Sequence, residues 1–142
     1  MEWKNIYEER KCSAKEAVSC INSGDKVFFA HCIAEPTALV NAMVENAAAY
    51  RDVEIRHMVS LGKGEYTHKK YKDNFIMNCL FAGASTRKCL GEGHGEFTPV
   101  FFHEVPEYIR RGIFKTDVLM VMVSPPDIHG YCSVGVSSDY TM

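Results

Sequence analysis

Short apolar runs alternate with helix-patterned segments along most of the chain, and this alternation limits the fold more than any other feature. Residues 26–31 (KVFFAH) read as a buried strand. Residues 53–60 follow as a second, with Val53, Ile55, His57 and Val59 sharing one face. Residues 75–82 and 99–103 are apolar enough for two more. The continuous run DVLMVMVS, 117–124, suits a strand buried on both faces at the centre of the sheet. Helical signals fall between these runs. Ser13 and Glu16 form a capping box ahead of Ala17, Val18 and Ile21, with Gly24 placed to end that helix. Pro36 opens another, whose Leu39, Val40, Met43, Val44 and Ala47 line one face. Shorter helices are expected at 85–90 and 105–111, the second closed by Gly112. Strands that return through helices build an α/β fold, here a mostly parallel open sheet flanked by helices, in one domain covering residues 1–142. After a turn rich in Pro, Gly and Asp comes a strand-like CSVGVSS with no helix behind it, so the domain reads as truncated before its covering layer is complete.

Charge narrows the partners. Sixteen Lys and Arg against eighteen Asp and Glu leave a formal charge of −2, without the basic excess that nucleic acid or an anionic membrane attracts. The longest apolar stretches fall far short of the roughly 20 residues that cross a bilayer. The opening MEWKNIYEER lacks the apolar run of a signal peptide, so the cytosol is the expected compartment. Six cysteines (Cys12, Cys20, Cys32, Cys79, Cys89, Cys132) show no close-paired spacing and read as reduced core thiols, and neither CxxC nor HxxxH spacing offers a zinc site. Cys32 adjoins His31, but neighbours in a strand point to opposite faces, which disfavours a nucleophile pair.

GEGHGEF, residues 91–97, is glycine-rich but precedes a strand, whereas phosphate-cradling loops follow a strand and open a helix; it reads as a turn. More is carried by the composite FAHCIAEP, SLGKGEY, GHGEFTPVFFHEVP and VMVSPPDIHGYCSVGVSSDYT. Together, in order and spacing, these segments resemble the N-terminal half of the acetyl-CoA hydrolase/transferase family, and within it the 4-hydroxybutyrate and butyryl-CoA:acetate CoA-transferases. The resemblance runs over the whole chain. It implies a CoA-transferase-type N-terminal domain and an active site in a cleft shared with a later domain. That later domain holds the nucleophilic glutamate and the glycine-rich CoA loop, and no position here matches either motif.

By that resemblance, coenzyme A is a substrate, with no bound cofactor; the partners are acyl-CoA and short-chain carboxylates; and the complete protein is a homo-oligomer. The catalytic glutamate would lie beyond Met142, leaving this segment inactive by itself. Loops at the carboxyl ends of strands would form one wall of the cleft. Ser60, Gly62, Lys63 and Gly64 are the first candidates, offering backbone amides and one ammonium to an anionic substrate. His31, Glu35 and Pro36, at the end of the first strand, are second, and Ser133, Gly135 and Ser137 third. The competing readings are thioester hydrolysis, with water in place of the second carboxylate, and a free-standing assembly module. A reading frame that continues past Met142 favours the enzyme over the module.

Overall fold

Alternation within each strand sends successive side chains to opposite faces, and both faces of the sheet are covered. The computed structural model describes residues 2–135 and 138–142. Strands β1 (Lys26–Phe29), β2 (Val53–His57), β3 (Phe75–Cys79), β4 (Gly95–Phe97) and β5 (Val118–Met120) make one all-parallel sheet in the order β4-β3-β2-β1-β5. On one face Val27, Phe29, Val53, Ile55, Phe75 and Met77 pack against residues from α2 (Ala14–Ala17), α3 (Thr37–Glu45) and α4 (Arg87–Gly91). On the other, Phe28, Met58 and Leu80 meet Val105 of α5 (Val105–Arg110), together with Phe114 and Tyr140. The first helix, α1 (Glu2–Arg10), buries no side chain.

The Ser13–Glu16 capping box is present, with Glu16 N donating to Ser13 Oγ at 3.2 Å and Ser13 N to Glu16 Oε2 at 2.9 Å. Pro36 is the N-cap of α3, and Val40, Met43 and Val44 are buried as their spacing requires. Gly112, at φ +71°, follows α5 as expected.

Several expectations need correction. The run at 117–124 is not the centre of the sheet: among the described residues β5 is an edge strand, paired only with β1, and Leu119, Met122 and Val123 are each nearly half exposed. An apolar run reports a demand for burial and says nothing of strand order. Residues 99–103 form no strand. Pro99 has no N–H for a ladder, and Glu104 accepts the Phe101 amide at 3.1 Å, turning the chain into a 3-10 turn and α5. The neighbouring strand lies instead inside the glycine-rich motif, as β4. Gly24 does not end the first predicted helix. That helix is over by Cys20, and Gly24, at φ +84°, makes the turn into β1. Residues 132–135 of CSVGVSS carry no strand, and Val136 and Ser137 lie outside the described residues. The six cysteines are free thiols, but only Cys79 and Cys89 are buried; Cys12, Cys20 and Cys132 are exposed.

Candidate functional site

From β1 the sheet grows outward through β2, β3 and β4, and then the chain returns to place β5 on the other side of β1. The topological switch point therefore lies between β1 and β5, and in open α/β sheets ligands bind outside the carboxyl ends of strands at such a point. The loops after β1, β2 and β5 all open on this edge. Two clefts flank the segment from Glu35 to Thr37. One, of about 270 Å³, runs between α3 and the loop after β2, and is lined by Glu35, Asn41, Gly62, Lys63 and Gly64 among others. The second, of about 380 Å³, runs from Pro36 and Thr37 to Val121, Met122 and Val123.

Glu35 is the anchor of the first cleft. It is only 5% exposed, and its Oε2 accepts the amides of Leu61 at 3.1 Å and Gly62 at 3.0 Å. Its Oε1 is buried with no hydrogen-bond partner among the described residues. Gly62 has no room for a side chain, since a Cβ there would lie 2.3 Å from Glu35 Oε1. One of the amides expected to meet a substrate anion, that of Gly62, is thus occupied by a carboxylate of the chain itself, as is that of Leu61 beside it. Gly64 takes the left-handed conformation, φ +61°, and packs closely on Ser85. Lys63 extends into solvent, 4.0 Å from Glu65. Ser60 is buried, forms an isolated parallel bridge with Cys32, and accepts at its carbonyl from Ser85 Oγ.

Behind this loop lies a buried pair. His57 Nε2 is 2.8 Å from the Tyr66 hydroxyl, with Phe29 stacked on the imidazole. Burial, and to a lesser degree the neighbouring His31, pushes the His57 pKa down to about 3, so the ring is neutral. Burial pushes the Tyr66 phenol well above its ordinary value.

The other candidates separate. His31 sits at the end of β1, its Nδ1 2.8 Å from Asp139 Oδ2, its ring stacked on Tyr140 and edge-on to Phe102. Tyr140 in turn donates to the Phe29 carbonyl at 2.9 Å and accepts the Met58 amide at 3.3 Å, tying β1 to the segment after β2. Pro36 lines the second cleft. Ser133 and Gly135 line neither. Ser133 exchanges hydrogen bonds with Ser124 and accepts from Gly135 N, closing a surface loop on itself. Ser137 lies outside the described residues. Cys32, at φ +54°, follows His31 just past β1, so neither residue of that pair lies in the strand. Asn41, residues 121–123 and Tyr140 were not singled out from the sequence. Asn41 sits in an apolar helix pattern, and the other two depend on strand order and on a contact 111 residues apart.

An open parallel sheet, with clefts at the carboxyl ends of its strands and a glycine loop held by a buried glutamate, defines an open α/β domain. The chain belongs to the acetyl-CoA hydrolase/transferase family, whose N-terminal domain matches residues 1–141. It is 47% identical over 141 residues to a 4-hydroxybutyrate coenzyme A transferase of Clostridium kluyveri, covering 99% of this chain and 33% of that protein. It is 30% identical to a butyryl-CoA:acetate CoA-transferase of Anaerostipes caccae, covering 99% and 32%. Among solved structures, RipA from Yersinia pestis superposes with a TM-score of 0.90 at 28% identity, over 99% of this chain and 35% of that one. The chain thus spans about a third of the length of the curated relatives it matches. Among the described residues no helix is long and apolar enough to cross a membrane, and no group of three His, Cys, Asp or Glu is placed to hold a metal ion.

Proposed function

We propose that residues 1–142 are the N-terminal α/β domain of a cytosolic, homo-oligomeric acyl-CoA:carboxylate CoA-transferase that moves coenzyme A between short-chain acids such as 4-hydroxybutyrate, butyrate and acetate. The observation that carries this reading is the 47% identity to a 4-hydroxybutyrate coenzyme A transferase along essentially the whole chain. The clefts at the carboxyl edge of the sheet support it, being open to one side as half of a shared site would be.

In the proposed reaction a glutamate outside these residues attacks the acyl-CoA thioester carbonyl, forming a mixed anhydride and expelling the CoA thiolate. The thiolate attacks the glutamyl carbonyl of that anhydride, leaving a glutamyl-CoA thioester and the first free acid. The incoming carboxylate attacks this thioester, releasing the thiolate again, and thiolate attack on the new acyl carbonyl yields the second acyl-CoA and restores the glutamate. Each addition places charge on a carbonyl oxygen, which fixed donors stabilise. This domain contributes the wall built from loops 30–36 and 60–64, with Lys63 as a solvated cation at the rim.

The test is an assay of the complete gene product with acetyl-CoA and 4-hydroxybutyrate or butyrate, and with butyryl-CoA and acetate, alongside residues 1–142 alone. New acyl-CoA should form only with the complete protein, and intact mass should show a covalent CoA adduct when no acceptor acid is present. Transfer by residues 1–142 alone would refute the division of labour. Thioester loss at an equal rate without an acceptor would replace transfer by hydrolysis.

A further inference from the structure

We infer that Glu35 is a positioning residue of the transferase site, which holds the loop after β2 in its working shape and does not itself bind the substrate. This rests on the reading of that loop as a wall of the substrate cleft.

The geometry of the carboxylate carries the inference. Its Oε2 takes two successive amides, Leu61 N at 3.1 Å and Gly62 N at 3.0 Å, so one oxygen fixes the direction of both peptide groups. Its Oε1 has no hydrogen-bond partner among the described residues and stands too close to Gly62 to admit a Cβ there. Gly62 does not have a positive φ, so glycine is required there by the carboxylate and not by the backbone conformation. At 5% exposure Glu35 presents little of its carboxylate to the cleft, and that carboxylate would repel an anion. What remains for the incoming acid is the outer side of the loop, where Lys63 is exposed. A carboxylate with two amide donors resists displacement, because both charge-assisted bonds, which are partly buried, would have to be given up at once.

Glu35 also stands at the hinge of three elements. Its own carbonyl accepts Thr37 N at 2.8 Å at the start of α3, and its amide donates to Cys32 O at 3.3 Å in the turn from β1. The side chain therefore couples the turn after β1 to the loop after β2, the two loops flanking the 270 Å³ cleft.

The test uses the complete enzyme and a double-mutant cycle. Glu35→Ala should raise KM for the carboxylate acceptor at least about tenfold and lower kcat, since the loop loses its template. Glu35→Gln should recover most of the loss, because a carbonyl oxygen can still accept both amides and Oε1 has no hydrogen bond to lose. Gly62→Ala should be damaging in the wild type but change kinetics less than about twofold in the Glu35→Ala background, where the clash is gone. The same cycle in thermal unfolding should show the same coupling, which tests the contact independently of activity. Additive effects of the two substitutions in both readouts would overturn the inference, as would an active wild type whose acceptor KM is unmoved by Glu35→Ala. A complete wild-type protein that folds but transfers no CoA would instead overturn the functional reading, leaving the unfolding cycle to judge the contact.

Discussion

Glu54 is the residue whose neutralisation should cost the fold most for the smallest change of shape. Its carboxylate, 10% exposed, is shared by cations and an amide from three adjacent strands: Lys26 Nζ of β1 at 3.0 Å, the Arg56 guanidinium of β2, and Asn78 Nδ2 of β3 at 3.0 Å. Asn78 in turn accepts Thr98 Oγ1 at 2.8 Å, so the network crosses the sheet almost to β4. Glu54→Gln keeps volume and one acceptor but strands two positive charges. Removing one partner from a fully buried pair costs about 3–5 kcal/mol. Lys26, 29% exposed, can turn toward water, whereas Arg56, 13% exposed and held 5.1 Å over the Phe114 ring, cannot. Discounting the lysine leaves about 2–3 kcal/mol. At an unfolding entropy of roughly 2.1 cal/mol/K per residue, that is a fall in Tm of about 7–10 °C for a chain of 142 residues. Urea unfolding followed by far-UV circular dichroism, with the m-value unchanged, measures it.

A pH signature should accompany that loss. Burial would raise the Glu54 pKa, but Lys26, Arg56 and Asn78 together outweigh it and hold the carboxyl below its ordinary value. Its stabilisation is complete above the unfolded pKa and is lost as pH falls through the lower folded value. The gap between wild type and Glu54→Gln should therefore close as the solution is acidified below about pH 4. A gap under about 0.5 kcal/mol at neutral pH, or one that does not narrow with acid, refutes the account.

Three further outcomes are expected. Because the folded pKa of His57 lies near 3, below the ordinary value of 6.5, its contribution is full above pH 6.5 and drains as pH falls toward 3; between pH 6.5 and 5, His57→Gln should lose less stability than wild type. Equal slopes in that window, read by urea titration, would contradict this. Gly64→Ala should destabilise by about 2–4 kcal/mol, combining a left-handed backbone with a Cβ 2.8 Å from that of Ser85, whereas Gly24→Ala, with a positive φ but nothing within 4 Å, should cost only about 1–2 kcal/mol. Matching losses in thermal melts would show that the Ser85 contact is unimportant. In thiol titration the denatured chain should yield six equivalents; in the native protein Cys12, Cys20 and Cys132 should react first, and Cys79 and Cys89, whose pKa values burial raises, last.

Local signals were legible in the sequence where a short stretch determines its own hydrogen bonds or its own burial. The Ser13–Glu16 box, the Pro36 start of α3, the buried face of Val40, Met43 and Val44, and the shared buried face of Val53, Ile55 and His57 all follow from spacing within a few residues. So does the class of fold, since strands separated by helices can pair in parallel. The family motifs were likewise readable as a linear pattern, and residues 1–141 match that family. Strand order was not. DVLMVMVS carries the same apolar signal at an edge as at a centre, and only the path of the whole chain put β5 beside β1 and opened the switch point there. Nor could the loop 60–64 disclose that its amides were taken, because the acceptor lies more than twenty-five residues earlier and meets it only when β1 and β2 pair. Spacing along the chain governs what each segment can become, while the partner of a buried charge is decided by which segments pairing brings within 3 Å of it.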